Sequence, residues 1–201
     1  MELFRERGYE HTTVEEIAAR AGLTERTFFR YFADKREVLF SGSNELEAMI
    51  VDRIGSASEE DGPLEAVAAA LEAAGAELQE RRDIDYVRAR HALVLEHAEL
   101  QERELIKLAA LAAAAAKALH ARGVSEPAAS LAAEAGIAAF KIGFERWIGG
   151  KGPHTLAAHI RAAVKALNAV VAEQTRHARS RRAADAGRKK KEHAPKRGRG
   201  R

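Results

Sequence analysis

Apolar side chains recur at three- and four-residue spacing along most of this chain, and no five-residue stretch alternates β-branched or aromatic residues between turn signals. Spacing of that kind lines up on one face of an α-helix, whereas a strand turns successive side chains to opposite faces. Val14, Ile17, Ala18 and Ala21 share one face, as do Leu64, Val67, Ala68, Leu71, Ala74 and Leu78. Ile84, Val87, His91, Val94 and Leu95 make a further stripe, and Leu105, Leu108, Leu111, Ala112, Ala115 and Leu119 another. Breaks fall at Gly55–Ser58, Asp61–Pro63, Gly123–Pro127 and Gly149–Pro153. There Gly or Ser ends a helix, and in the later breaks Pro stands near the next start. The pattern predicts an all-α protein, with about four short helices up to residue 54 and five longer ones up to about residue 175.

Composition narrows the possibilities. With 46% hydrophobic and 31% charged residues the chain is globular in character. The absence of cysteine excludes disulfide scaffolds, thiolate zinc sites, cysteine nucleophiles and thiol redox sensing. The longest apolar run, Leu108 to Ala116, has nine residues. A spanning helix needs about 20, so no membrane partner is expected. Met1–Glu6 lacks a basic start followed by an apolar core, and the expected location is cytoplasmic. The overall charge is +3, but residues 176–201 hold twelve Lys or Arg against Asp185 and Glu192, leaving residues 1–175 at −7. That tail has almost nothing to bury and is expected to be disordered, its charge able to neutralise phosphates without sequence preference.

The most informative segment runs from residue 8 to residue 40. Thr13 and Glu16 have the spacing of a capping box, which opens a two-turn helix ended by Gly22. Thr24 can cap a second short helix reaching about Tyr31. Asp34 and Glu37 suggest another capping box, opening a longer helix with Val38, Leu39, Leu46, Met49 and Ile50 on one side. Ser41-Gly42-Ser43 would lie on that helix as a local kink. Two short helices joined by a tight Gly-containing turn follow the helix-turn-helix plan, whose second helix can enter the DNA major groove. Phe28, flanked by Leu23 and Phe32, is expected to point inward beside Val14, Ile17 and Ala18. Glu25, Arg26, Phe29 and Arg30 fall on the other side. An exposed Phe between arginines suits a thymine methyl or sugar edge, with the arginines free for guanine or phosphate. The competing reading is a solvated basic face.

From Phe4 to Lys35, with caps, glycines, aromatics and lysine all holding their spacing, the segment resembles the DNA-binding domain of TetR-family transcriptional regulators. The resemblance implies that Thr13 and Thr24 hold phosphates. It also implies that Arg26, Thr27, Phe29 and Arg30 face bases, and that Tyr31 and Lys35 clamp the DNA backbone. Of the family's full first helix and basic arm only Glu2 to Arg7 remain, so the N-terminus is expected to be shortened: either the true start lies upstream or the chain lacks the arm and part of the scaffold that supports the motif.

The resemblance divides the chain into a DNA-binding domain over residues 1–54, with its motif at 13–32, a helical sensor and dimerisation domain over 60–175, and the tail over 176–201. Between Pro127 and Ile148 apolar residues occupy two faces, Leu131, Ala135 and Ile142 on one and Ile137, Phe140, Phe144 and Trp147 on the other. The last helix pairs a bulky stripe (Leu156, Ile160, Val164, Leu167, Val171) with a small one (Ala158, Ala162, Ala166, Ala169). A helix apolar on two sides needs two partners, and a second subunit can supply one. Burial within one large core is the alternative. Tyr86, His91, Phe140, Phe144 and Trp147 are candidate ligand contacts, although core packing is the simpler reading for His91 and the last three aromatics. No metal site is expected, since His91 and His97 are six apart and His154 and His159 five apart, neither being the four-residue spacing of a helical ligand pair. No phosphate loop, nucleophile elbow or carboxylate-rich metal motif occurs, so neither a cofactor nor an enzyme is expected. The expected function is a homodimeric repressor of a near-palindromic double-stranded DNA operator, released by a small-molecule effector. An activator of the same fold and a low-specificity architectural DNA binder are the alternatives.

Overall fold

A computed structural model describes residues 1–150, 152 and 154–173, and all its regular elements among those residues are helices. In chain order they are α1 (Glu2–Arg7), α2 (Val14–Arg20), α3 (Glu25–Tyr31), α4 (Lys35–Leu39), α5 (Ser43–Gly55), α6 (Pro63–Arg81), α7 (Ile84–Glu96), α8 (Ala98–Ala121) and α9 (Glu126–Ile148). A further helix, α10, covers residues 156–173. The expected basic tail at 176–201 lies outside the described residues.

Five helices, not four, precede residue 56. The single helix expected from Asp34 onward is two, because the chain turns at Phe40-Ser41-Gly42. Phe40 drops into a small core, and Gly42 takes φ of +86°, a left-handed backbone that a residue with a Cβ rarely adopts. The later breaks fall where Gly and Pro place them: Pro63 opens α6 and Gly123 separates α8 from α9.

Helices α5 to α10 form the body. Ile50 and Ile54 of α5, Val67 and Leu71 of α6, Leu119 of α8, Ile137 of α9, and Leu156 and Ile160 of α10 meet in its core. Leu95 and Leu105, expected inside, are 58% and 59% exposed. In its first half α8 instead turns Leu100, Arg103, Glu104 and Lys107 toward the rest of the molecule. Helices α1 to α4 form a head. A second cluster (Phe4, Tyr9, Leu39 and Phe40 from the head side, Val94 and Leu100 from α7 and α8) joins it to the body.

Small residues let the body's helices approach closely. A Cβ on Gly143 would lie 2.9 Å from the Ile160 backbone nitrogen and 3.0 Å from the His159 carbonyl carbon. Backbone cannot rotate away as a side chain can, so α9 and α10 would have to separate. Gly143→Ala should therefore destabilise the body by about 1–3 kcal/mol, measured as a lowered midpoint in urea denaturation followed by Trp147 fluorescence.

Candidate functional site

The head is built from local caps. Glu16 N–H donates to Thr13 Oγ1 at 3.2 Å and Thr13 N–H donates to Glu16 Oε2 at 3.0 Å, completing the capping box of α2. Gly22, at φ +68°, turns the chain, and Leu23 N–H returns to the Ala18 carbonyl at 2.8 Å. Thr24 Oγ1 accepts from Thr27 N–H at 3.2 Å to start α3. Phe28 is buried, with its ring centroid 5.2 Å from that of Phe32. Leu23 does not join this small core as expected. It sits in the turn itself and is 46% exposed.

The outer face of α3 carries Arg26, Phe29 and Arg30, with Tyr31 at its end. Phe29 is 54% and Tyr31 67% exposed, a large apolar and aromatic surface for a seven-residue helix. Thr27 is half-buried beside Thr24. Arg30 is held rather than free: its Nη2 donates to the Tyr31 hydroxyl at 3.0 Å, and its guanidinium lies 4.8 Å from the centre of the Tyr31 ring.

Lys35 sits differently from the DNA-backbone clamp implied by the family resemblance. Its ammonium donates to the carbonyls of Tyr9 at 2.7 Å, Thr12 at 3.2 Å and Glu10 at 3.3 Å, and lies 4.3 Å from the centre of the Tyr9 ring. An ammonium has three donors, and here they tie down the loop that leads into Thr13. The capping box expected at Asp34 is half formed. Asp34 accepts from Arg36 N–H and Glu37 N–H, but Glu37 reaches instead to Arg103 and Lys107 of α8.

Charge supports the caps. The Thr13 backbone N–H, with Arg7 nearby, holds the Glu16 carboxyl below the usual carboxylate range. The Arg36 side chain does the same for Asp34. Carboxyls with lowered pKa stabilise the folded head at neutral pH and lose that contribution as pH falls through their lowered values. Amides of residues 13–16 and 34–37 should thus lose exchange protection on acidification before those of the body core. Lys35→Met should cost the head about 1.5–3 kcal/mol, the usual worth of hydrogen bonds to a charged group. The loss would be read as faster hydrogen exchange at residues 9–13 with the body unchanged.

A cavity of about 540 Å³ lies where α5, the end of α6, α7, α8 and α9 meet the Phe40–Ser43 turn. Of the expected ligand contacts, Tyr86, Phe140 and Phe144 line it. His91 and Trp147 are not in its wall. Their rings pack on Phe144 at 5.4 Å and 6.0 Å between centroids. The wall also holds Met49, Leu78, Leu111, Glu104 and Arg90, which sequence reasoning missed. Arg90 was findable, since it shares a helical face with Val87 and Val94, and a charge on a buried stripe demands partners. Its Nε donates to the Leu39 carbonyl at 2.8 Å and its Nη2 to Glu104 Oε2 at 2.7 Å, with Phe40 beneath the guanidinium.

Residues 1–41 match the family model for bacterial regulatory proteins of the tetR family. The HTH-type transcriptional regulator TcmR of Streptomyces glaucescens is 38% identical over 73 residues, which is 36% of this chain and 32% of that protein, so the match spans about a third of the relative's length. Two solved structures share the fold. Thermus thermophilus FadR, a TetR-family transcriptional repressor in complex with lauroyl-CoA, is 21% identical, covers 82% of this chain and 87% of its own, and has a TM-score of 0.53. SmeT, the repressor of the Stenotrophomonas maltophilia multidrug efflux pump SmeDEF, is 22% identical, covers 81% of each chain, and has a TM-score of 0.50. No described helix is long and apolar enough to cross a membrane. The helix-turn-helix head is thus similar to that of bacterial regulatory proteins of the tetR family, and the helical body behind it shares its fold with FadR and SmeT.

Proposed function

We propose that the chain is a homodimeric repressor that binds a near-palindromic double-stranded DNA operator and is released from it by a small-molecule effector. The observation that carries this reading is the outer face of α3, where Arg26, Phe29 and Arg30 stand together on the solvent side. In this reading Arg26, Thr27, Phe29 and Arg30 meet base edges, Thr13 and Thr24 meet phosphates at helix starts, and Tyr31 contacts the backbone while aiming Arg30. Lys35 acts from behind by fixing the loop that presents Thr13. Residues 1–54 serve as the DNA-binding unit, with α5 as a strut anchored in the body by Ile50 and Ile54. Residues 60–175 serve as the sensor and dimerisation unit.

Dimerisation is supported by what α9 and α10 leave outside. Leu131 is 72% exposed, Ile142 53% and Val170 56%. A second copy covering both helices would remove these side chains from water, as a four-helix interface does. The effector would occupy the cavity, whose wall combines apolar side chains such as Met49, Leu78, Leu111, Phe140 and Phe144 with eight charged ones.

Footprinting on a genomic library should recover half-sites read in major grooves about 34–36 Å apart or a multiple of that. Arg30→Ala should lose about 1–3 kcal/mol of discrimination at one base pair per half-site. Unchanged base preference in that variant would end the base-reading role of Arg30. A uniform footprint on all DNA would instead favour an architectural binder.

A further inference from the structure

The loop between α1 and α2 and the corner between α7 and α8 are nearly ninety residues apart in sequence, yet they meet at the seam of head and body. His97 is the single residue separating α7 from α8, in extended backbone at φ −125°, ψ 117°. Its ring packs on that of buried Tyr9 at 4.7 Å, and its side chain is only 18% exposed, so the imidazole has little freedom to turn. Its Nδ1 lies 3.3 Å from Oε1 of Glu10 in the head loop. Glu99, in the first turn of α8, contributes a third group, and one donor atom from each of the three lies within 4.8 Å of the others.

Two features set this cluster apart from a patch of solvated acids. Glu99 is partly buried, and its side chain makes no hydrogen bond or ion pair with any described residue. Two carboxylates therefore lie within 4.8 Å of one another and of one imidazole, a repulsion that a cation among them relieves. The ammonium of Lys35 is nearby, but its donors go to three backbone carbonyls.

We propose that Glu10, His97 and Glu99 form a binding site for a divalent transition-metal ion of the zinc or nickel type, which fastens the DNA-binding head to the body. Imidazole nitrogen with carboxylate oxygen suits zinc, nickel or cobalt, whereas magnesium and calcium take oxygen ligands alone. Bonds of about 2.1 Å at tetrahedral angles place neighbouring donors roughly 3.4 Å apart. The His97–Glu10 pair already stands at that separation. Closing the remaining gap needs rotation of the Glu10 side chain, which is 65% exposed. Three protein donors leave a further position for water. Helical spacing gives no hint of such a site, because its ligands come from a loop, a corner and a helix start.

The site can be tested on the full chain with zinc and nickel salts, without reference to DNA. Isothermal titration should find an ion bound one per chain, and His97→Gln and Glu99→Gln should each weaken it at least about tenfold, the loss seen even for outer-shell changes. Cobalt should give a ligand-field absorption band that His97→Gln removes, and magnesium at equal concentration should not displace it. Because Glu10 is exposed, Glu10→Gln serves as a variant that folds normally. Metal should slow hydrogen exchange at residues 9–12 in the parent chain and leave it unchanged in Glu10→Gln. Undiminished affinity in His97→Gln would place the metal on other histidines and overturn the site. Binding with no slowing at residues 9–12 would overturn the fastening of head to body.

Discussion

The head's position depends on apolar side chains that it cannot bury alone. Within the helix-turn-helix unit Phe28 and Ala18 are buried, but Phe4, Tyr9, Leu39 and Phe40 are covered largely through the cluster completed by Val94 and Leu100. Each large side chain removed from water contributes about 1.5–3 kcal/mol. A unit of some forty residues has too little interior to do without them. The body is therefore part of the head's core, and the orientation of α3 relative to α5 is set where α7 turns into α8.

Polar contacts at the same seam fix geometry more than they add stability. Arg90, Arg103 and Lys107 all reach from α7 and α8 to the α4–α5 region: to the Leu39 carbonyl, to Glu37, and to Glu37 with Asn44. Partly exposed ion pairs are typically worth only about 0–1 kcal/mol. Each of these is directional, however, and Glu37 has only 19% of its side chain exposed. Stripping away its arginine would leave a carboxylate short of water with only the longer contact to Lys107, at 3.8 Å. The seam is thus cheap to keep and costly to half-break, which favours a small number of discrete arrangements.

What could be read from the sequence was local. Thr13, Glu16, Gly22, Thr24 and Phe28 act within four residues of their partners, so spacing alone exposed their roles. Helical periodicity misled where tertiary partners intervened. Val38, Leu39, Leu46, Met49 and Ile50 keep one helical face, yet the chain turns at Phe40–Gly42 because Phe40 is needed in the seam and Gly42 can supply a left-handed residue. Glu37 has the right spacing for a cap but is claimed by α8. Lys35 resembles a backbone clamp, and its carbonyl partners become visible only once the loop at residues 9–12 folds over it. Of the aromatic candidates, pattern could not separate Phe140 and Phe144, which face the cavity, from Trp147, which sits behind them. No local signal marks the His97 corner, where neither Gly nor Pro stands.

The turn that sequence reading missed is also where the cavity and the seam coincide. Phe40, Ser41, Gly42 and Ser43 line the cavity on one side, and on the other they line an open cleft of about 700 Å³ beside α8. Arg90 belongs to the cavity wall and at the same time holds the last carbonyl of α4. Its guanidinium has five donors in a rigid fork, and all three of its nitrogens are committed, Nε to Leu39 and both Nη atoms to Glu104. An occupant that drew on those same nitrogens would compete directly with α4 for them, whereas an occupant lying only against Phe140 and Phe144 would leave the α4 contact alone. Filling the cavity can therefore shift the head only to the extent that it binds differently with the Arg90–Leu39 bond made and broken, since differential affinity is the whole of what a ligand can contribute to such an equilibrium.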